Sequence, residues 1–208
     1  MTSGSGHRQR LFELDVTFST SARRTVIYGP SGAGKTLTLQ AIAGLLRPDR
    51  GRIAFNERPV FDSAQGMNLP AQSRCFGYLF QDYALFPHLN VRQNIAFGLT
   101  RGLLNPRRDV DDARVEHWLR VFELTEVCGQ YPHELSGGQR QRTALARTLV
   151  IEPRALLLDE PFSALDPELR ERLRDELSEL LDRLDIPVLM ITHDPQDLPS
   201  STVKRVSH

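Results

Sequence analysis

The apolar residues of this chain recur with two periods, one typical of short strands and one typical of amphipathic helices. Strands are predicted by six short runs, LFELDVTF, RTVIYG, GRIAF, FGYLF, ALLLDE and IPVLMITH. The first of these alternates apolar and polar residues, as a half-buried strand does. ALLL is apolar throughout, which is typical of a strand buried in a parallel sheet. Strands interleaved with helices predict an α/β protein with a mainly parallel sheet.

Helices are predicted by three longer stretches with apolar residues at helical spacing. Their apolar stripes are Leu39, Ile42, Ala43 and Leu46; Val115, Leu119 and Phe122; and Leu169, Leu173, Leu177, Leu180 and Leu184. From Asp82 to Ile151 the pattern is mostly helical. We therefore predict one domain, in which residues 1–81 and 152–208 form a core and residues 82–151 form an inserted helical subdomain.

Composition excludes several classes of protein. Lys and Arg number 26, as do Asp and Glu, so no bulk charge favours nucleic acid or anionic lipid as a partner. Cys75 and Cys128 lie outside CxxC or histidine-spaced patterns, so we expect core thiols in a reducing compartment. No apolar run approaches the ~18 residues of a membrane helix, and the first residues do not form a secretory signal. We expect a soluble, cytoplasmic chain.

The stretch GPSGAGKT matches the phosphate-binding pattern G-x-x-x-x-G-K-[ST] and lies between a predicted strand and a predicted helix. Its glycines let backbone N–H groups converge on phosphate oxygens, and the helix N-terminus adds partial positive charge. Lys35 would reach the β- and γ-phosphates, and the Thr36 hydroxyl would bind Mg²⁺. The predicted nucleotide-binding residues are Gly29, Pro30, Ser31, Gly32, Ala33, Gly34, Lys35 and Thr36. A glycine turn that binds nothing is disfavoured by the complete motif.

The run ALLLDEP ends in two carboxylates, Asp159 and Glu160. The carboxyl end of a buried strand would place them beside the phosphate loop. Asp159 would hold Mg²⁺ through water, and Glu160 would orient or deprotonate the attacking water. A solvated turn would look the same in sequence, so this interpretation depends on the phosphate loop.

A second glycine pair occurs in ELSGGQRQR, at Ser136, Gly137 and Gly138. A serine that caps a helix N-terminus is one explanation. Together with the other motifs, however, LSGGQ resembles the signature of the ATP-binding cassette family. The motifs occur in the family's order: GPSGAGKT, Gln81 in LFQDYALF, LSGGQRQR, LLLDEP, SALD at residues 163–166, and His193 in MITHD.

This resemblance implies a P-loop NTPase (RecA-like) core, N-terminal antiparallel β strands and an inserted helical subdomain. It also implies ATP and Mg²⁺ as cofactors and a second cassette subunit, bound head to tail. Ser136, Gly137, Gly138 and Gln139 would then contact the ATP held by the partner. His193 would hold Glu160 and the water. The implied catalytic residues are Lys35, Gln81, Glu160 and His193; the implied metal residues are Thr36, Gln81 and Asp159; and Asp166 would communicate across the interface.

The segment from Gln81 to Leu99 resembles the part of importer-type cassettes that forms a groove for a permease helix; a hydrophobic loop packed under helices is the alternative. The preceding segment, RPVFDSAQGMNLPAQSRCFGYLFQD, most resembles molybdate or tungstate importers. We therefore expect an ATPase at the cytoplasmic face of the membrane that drives oxyanion uptake. Its partners would be permease subunits and, indirectly, a periplasmic or extracellular binding protein, but no nucleic acid.

Three other functions stay open as alternatives: the ATPase of a sulfate or iron importer, a non-transport cassette acting in translation or DNA repair, and a P-loop kinase or GTPase-type switch. The last would lack LSGGQ. Two positions depart from the family pattern. Leu37 replaces a second hydroxyl, and residues 5–10 hold no aromatic to stack on adenine, although Phe12 is nearby.

The third departure is the short stretch after His193. Pro199 should stop a helix that begins near Asp194, and TVKRV could form at best a short edge strand. We expect no C-terminal regulatory domain, residues 199–208 loosely attached, and a core without the strands that cover its edge. Such a truncated form would be less stable and less active than a longer relative.

Overall fold

The computed structural model describes residues 13–100, 104–163, 165, 167–184, 186–197 and 203–205. A five-stranded parallel sheet has the order β5-β6-β7-β1-β8, and a three-stranded antiparallel sheet has the order β2-β3-β4. The strands are β1 Arg24–Tyr28, β2 Arg52–Phe55, β3 Arg58–Asp62, β4 Met67–Asn68, β5 Phe76–Leu79, β6 Ala155–Asp159, β7 Val188–Thr192 and β8 Val203–Arg205.

Six α-helices and several 3₁₀ turns connect these strands in the described part of the chain. The helices are α1 Lys35–Ala43, α2 Ala71–Arg74, α3 Val91–Ala96, α4 Ala113–Val121, α5 Gly137–Leu149 and α6 Pro167–Arg183. The 3₁₀ turns are Phe97–Leu99, Thr125–Val127, Pro132–Glu134 and Pro195–Asp197. None of the helices in these ranges is long and apolar enough to cross a bilayer.

Strand β6 lies between β5 and β7, and its side chains are apolar on both faces. Leu157 packs with Leu39 of α1 and with Ile191 on one face. Leu156 and Leu158 pack into the larger cluster on the other face, which includes residues of α5 and α6. Successive strand residues point to opposite faces, so the uninterrupted run ALLL needs cover on both sides. This confirms the prediction of a buried parallel strand.

The regular elements between residues 82 and 151 are all helical in the described part. Asn90 caps α3 with a reciprocal pair of bonds to Gln93, and Asp112 caps α4. The predicted stripe of α4 is buried, with Val115 and Leu119 fully so. These helices share one apolar cluster with β6, and the division into subdomains at residues 81 and 152 stays a prediction.

Several local predictions are wrong. LFELDVTF forms no strand over its described part, residues 13–18, although Phe18 packs beside Ile27. Leu46 is 38% exposed, because α1 ends at Ala43 and Gly44 turns the chain with a φ of 80°.

The two cysteines also differ from their prediction as core thiols. Cys75 is exposed, because it follows the short helix α2 at a φ of 54°. Cys128 is half-buried against the larger apolar cluster.

The C-terminal stretch forms the predicted short edge strand. β8 pairs in parallel with β1, with Val203 opposite Val26. β8 is the last strand of the sheet in the described residues, so the expectation that further covering strands are missing stays a prediction. A 3₁₀ turn, Pro195–Asp197, stands where a helix was predicted to begin. Residues 198–202 and 206–208 lie outside the described residues.

Candidate functional site

The carboxyl ends of four parallel strands meet at one edge of the main sheet. β1 leads into Gly29, β5 into Gln81, β6 into Glu160 and β7 into His193. Parallel pairing places these ends together, where ligands bind in open α/β sheets. The topology therefore gathers residues that are far apart in sequence.

The loop after β1 has the backbone of a phosphate cradle. Gly32 and Gly34 have φ angles of 81° and 79°, values that residues with a side chain rarely adopt. A Cβ at Gly34 would also lie 2.7 Å from Cδ1 of Leu14. Gly34 is the N-cap residue of α1, and no side chain caps this helix. The N–H groups of its first turn are thus free to meet an anion.

Lys35 is a buried ammonium inside this loop. Its side chain is 4% exposed, and Nζ donates to the carbonyl oxygens of Gly29 at 2.8 Å and Pro30 at 2.9 Å. Nζ also lies 3.8 Å from Oε1 of Glu160. A buried charge needs such partners. The lysine therefore supplies a fixed positive charge at the centre of the cradle, where phosphate oxygens would be stabilised.

Asp159 ends β6 and accepts two hydrogen bonds. Thr36 Oγ1 donates to its Oδ1 at 3.0 Å, and the Tyr78 hydroxyl donates to its Oδ2 at 2.7 Å. Burial raises the pKa of Asp159, although the two donors oppose this shift. Thr36 and Asp159 together offer hard oxygen ligands, the kind that Mg²⁺ prefers. The two residues fit the predicted metal site.

Tyr78 is a site residue that the sequence analysis missed. Burial and its hydrogen bond to Asp159 raise the pKa of the phenol, so it stays a donor at neutral pH. Its position depends on the register of β5 against β6, which sets Tyr78 opposite Leu157 and Leu79 opposite Leu158. A tyrosine after a glycine in FGYL gave no sign of this pairing.

Glu160 is aimed at His193 by a strained backbone. Its φ is 45°, uncommon for a residue with a side chain, and its N–H donates to the carbonyl oxygen of Ile191. Oε2 of Glu160 lies 3.0 Å from Nδ1 of His193. The carboxylate is 12% exposed and the imidazole 45% exposed. The structure thus brings together Lys35, Glu160 and His193.

Two predicted site residues are not shown in this cluster. Gln81 is exposed in the turn after β5, and within the described residues it forms no hydrogen bond to Asp159 or Glu160. Asp166 lies outside the described residues. Ser163, in the same motif, donates from its hydroxyl to the carbonyl oxygen of Glu160 at 3.0 Å.

The second glycine turn opens α5. Ser136 caps the helix: its Oγ accepts from the N–H of Gln139 at 3.2 Å, and Gln139 Oε1 accepts from the N–H of Ser136 at 2.9 Å. Ser136 is exposed. Across the ranges described, no hydrogen bond or ion pair joins this turn to the phosphate loop. Both explanations of the motif stay compatible with this geometry, since a cap also orders the free N–H groups of Gly137 and Gly138.

Curated relatives of this chain carry importer names. A Fe(3+) ions import ATP-binding protein of Pseudomonas fluorescens is 50% identical over 182 residues, which cover 86% of this chain and 49% of the relative. A sulfate/thiosulfate import ATP-binding protein of Synechococcus elongatus is 44% identical over 192 residues, which cover 92% and 53%. The chain thus spans about half the length of the curated relatives it matches.

Solved structures share the fold. One is cbiO1 from Clostridium perfringens, part of an ABC transporter complex, with a TM-score of 0.67 and 34% identity over 82% of this chain and 67% of that one. Another is the ATP-binding cassette MJ0796, a dimer bound to ADP and Pi, with a TM-score of 0.63 and 28% identity over 83% and 75%. The fold is that of a P-loop NTPase with a parallel sheet and antiparallel strands, as predicted. Because residues 13–163 also match the model of the family described as ABC transporter, this chain belongs to the ABC transporter family.

Proposed function

We propose that this chain is the ATP-binding and hydrolysing subunit of an ABC importer. The observation that carries the proposal is the single cluster at the sheet edge, in which Lys35, Asp159, Glu160 and His193 surround the phosphate loop. The import names of curated relatives support the transport role.

Each residue of the cluster has a chemical task in this proposal. The loop N–H groups and Lys35 bind the phosphates, and Thr36 and Asp159 would hold Mg²⁺. The bound Mg²⁺ would neutralise charge on the phosphate oxygens. Glu160 orients the attacking water and accepts its proton. His193 fixes the Glu160 carboxylate through the 3.0 Å contact between Nδ1 and Oε2.

The second glycine turn is proposed to serve a second copy of the chain. Ser136 is exposed, and its cap opens α5 with Gly137 and Gly138 in the first turn of the helix. In a head-to-tail dimer, these groups would bind the γ-phosphate of ATP held by the partner. The solved dimer of MJ0796 with ADP and Pi supports pairing in a relative.

Crosslinking tests this arrangement. Cys75 and Cys128 are first replaced by serine, because Cys75 is exposed. Single cysteines are then placed at Ser31 and Ser136, in separate, differently tagged chains. With ATP and the slow Glu160→Gln background, a disulfide between the two chains is expected. Cysteines at Ser31 and the exposed Ser73 are the control. A yield no greater than this control would contradict the shared site.

The proposed permease-binding surface lies after Gln81. Arg147 donates to the carbonyl oxygens of Tyr83 and Ala84, and Asn94 bonds to both backbone groups of Phe86, so this segment is held firmly.

The ring centroids of Phe86 and Phe97 lie 4.2 Å apart, and Phe97 remains 37% exposed. Leu89 is buried, so part of the segment does pack under the helices. Its exposed aromatic edge supports the groove interpretation.

The transported ion is proposed from the relatives' names. Those names specify iron(III) and sulfate or thiosulfate, which favours the two alternatives over molybdate or tungstate. The experiment is co-expression with a candidate permease, reconstitution in vesicles and measurement of ATP hydrolysis with iron(III), sulfate and molybdate. Hydrolysis that depends on one ion and is lost in Lys35→Ala supports the proposal. Hydrolysis that no permease alters would favour a non-transport cassette.

A further inference from the structure

Helix α6 carries two arginines that lie against the segment following β7. Arg170 and Arg174 are one helical turn apart and therefore share a face of the helix. Arg170 reaches Asp194, next to His193, and Arg174 reaches Asp197; in the part of the chain described, neither bonds to His193 itself. Their contacts form a polar network outside the catalytic cluster.

Arg170 bonds both to the segment after His193 and to the turn before α6. Its NH1 donates to Oδ2 of Asp194 at 3.0 Å, and its NH2 donates to the carbonyl oxygen of Leu165 at 3.1 Å. Asp194 directly follows His193, and Leu165 lies in the turn that precedes α6. One guanidinium thus connects the segment after Glu160 with the segment after His193.

Arg174 fixes the other side of the histidine. Its Nε and NH2 both donate to Oδ1 of Asp197, at 3.1 and 2.7 Å. The other oxygen of Asp197 accepts from the Thr192 hydroxyl at 2.6 Å. Thr192 Oγ1 in turn accepts from the N–H of Asp194 at 3.0 Å. Asp197 and Thr192 are 6% and 1% exposed, so this network is shielded from water.

The network consequently anchors the backbone on both sides of His193 but does not itself contact the imidazole. In the described part of the chain, Glu160 is the one side chain within bonding distance of the ring, which is 45% exposed. The direction of the imidazole therefore depends on the backbone of Thr192 and Asp194.

We infer that Arg170 and Arg174 are positioning residues that hold His193 against Glu160. The inference rests on the proposed function, in which the His193–Glu160 pair acts in ATP hydrolysis. Arg170 is the better residue to test, because removing Arg174 would leave the buried Asp197 without its cation.

The test compares Arg170→Met with Arg172→Met, an exposed arginine on the same helix. Misplacement of a catalytic group by about 1 Å can cost roughly 100-fold in rate. We expect Arg170→Met to lower kcat roughly 10- to 100-fold while KM for ATP stays within about twofold. Arg172→Met should leave both constants unchanged. Thermal unfolding checks that each variant is folded.

Double substitution separates positioning from a general structural effect. If Arg170 acts through His193, adding Arg170→Met to His193→Ala should cause no further loss of single-turnover hydrolysis. A loss of the same size in both backgrounds would overturn the inference. So would wild-type kcat in Arg170→Met alone.

A spectroscopic measurement decides the inference without hydrolysis. In the ¹⁵N-histidine-labelled chain, the His193 resonances are assigned by their absence in His193→Ala. We expect Nδ1 to move towards the value of a free imidazole in Arg170→Met and to stay fixed in Arg172→Met. An unchanged resonance in Arg170→Met would contradict the inference that Arg170 positions His193. If the wild-type chain hydrolyses no ATP with its permease, the proposed function fails, and this spectrum still tests the positioning.

Discussion

Two glycine-rich turns open helices in this molecule, and they differ in what surrounds them. The phosphate loop, residues 29–36, opens α1 without a side-chain cap and encloses the buried ammonium of Lys35. The signature turn, residues 136–139, opens α5 with a complete capping box and an exposed serine. Among the described residues, no carboxylate or ammonium contacts the second turn.

The phosphate loop therefore has the groups that ATP hydrolysis needs, whereas the signature turn has only some of them. A helix N-terminus attracts an anion through free N–H groups and partial charge, but it supplies neither a proton acceptor nor a metal ligand. The phosphate loop has both nearby, in Glu160 and Asp159. The signature turn can act chemically only if another molecule brings the rest, which favours a second copy of the chain. The predictions below test this contrast.

The largest effect is expected from Glu160→Gln. The substitution keeps the size of the side chain and removes the proton acceptor, so hydrolysis should fall roughly 10²- to 10⁴-fold while ATP binding is retained. Glu152→Gln is a matched control, since Glu152 is an exposed glutamate that also has a positive φ, 51°. Single-turnover hydrolysis and nucleotide titration measure the two steps. A wild-type rate in Glu160→Gln would mean that the carboxylate has been misassigned.

The second effect concerns the signature turn and needs two chains. Ser136→Arg and Lys35→Ala should each be defective alone, because each spoils both sites of a homodimer. Mixed, they form some dimers with one intact site, so hydrolysis should rise several-fold above either variant. The control mixes Lys35→Ala with the double variant Lys35→Ala/Ser136→Arg, which can form no intact site. Recovery no better than this control would show that the two turns do not share a nucleotide.

Much of the site could be predicted because its motifs are local. The phosphate loop and the Asp159–Glu160 pair each depend on a few consecutive residues beside a strand, and the order of motifs indicated the family. The parallel sheet then brought the strand ends together, as the alternation of strands and helices implied. The buried run ALLL was predictable for the same reason, since its own residues specify cover on both faces.

Features that depend on distant pairing could not be predicted in this way. Tyr78 reaches Asp159 only because β5 and β6 pair in one particular register. Residues 13–18 alternate like a strand, but a strand also requires hydrogen bonds to a neighbouring strand, which these residues do not form. Arg170 and Arg174 read as solvated charges on an amphipathic helix. Their partners, Asp194 and Asp197, lie more than twenty residues further along the chain, and no local pattern links them.

A third prediction concerns the stability of the complete site. Because burial raises the pKa of Asp159, the folded chain binds a proton there more tightly than the unfolded chain. The stabilising contribution of the protonated form is present at acid pH and is lost as pH rises through the raised pKa. At pH 7, Asp159→Asn should therefore raise the unfolding midpoint without nucleotide by roughly 2–4 °C, equivalent to about 1 kcal/mol.

The same variant should lose the rise in unfolding midpoint that Mg²⁺ and ATP give the wild type. Calorimetry measures the unfolding midpoints of both proteins with and without Mg²⁺ and ATP. The control is Asp175→Asn, which alters an exposed aspartate on α6. A nucleotide-free variant that unfolds at a lower temperature than the wild type would show that the carboxylate is stabilising when charged. That result would contradict the effect ascribed to burial.

The smallest effect is expected from Tyr78→Phe, which removes the hydroxyl that donates to Asp159 Oδ2 at 2.7 Å. One net hydrogen bond is worth about 0.5–1.5 kcal/mol, so the Mg²⁺ concentration at half-maximal hydrolysis should rise roughly two- to tenfold. The affinity for ATP without Mg²⁺ should not change, because the phosphate loop is intact. Tyr28→Phe, which alters a half-buried tyrosine on β1 of the same sheet, is the control. The ATP-induced shift of the unfolding midpoint, followed against Mg²⁺, gives the same comparison without turnover. If Tyr78→Phe and Tyr28→Phe require equal Mg²⁺, the tyrosine only fills space and the metal-binding carboxylate is positioned by Thr36 alone.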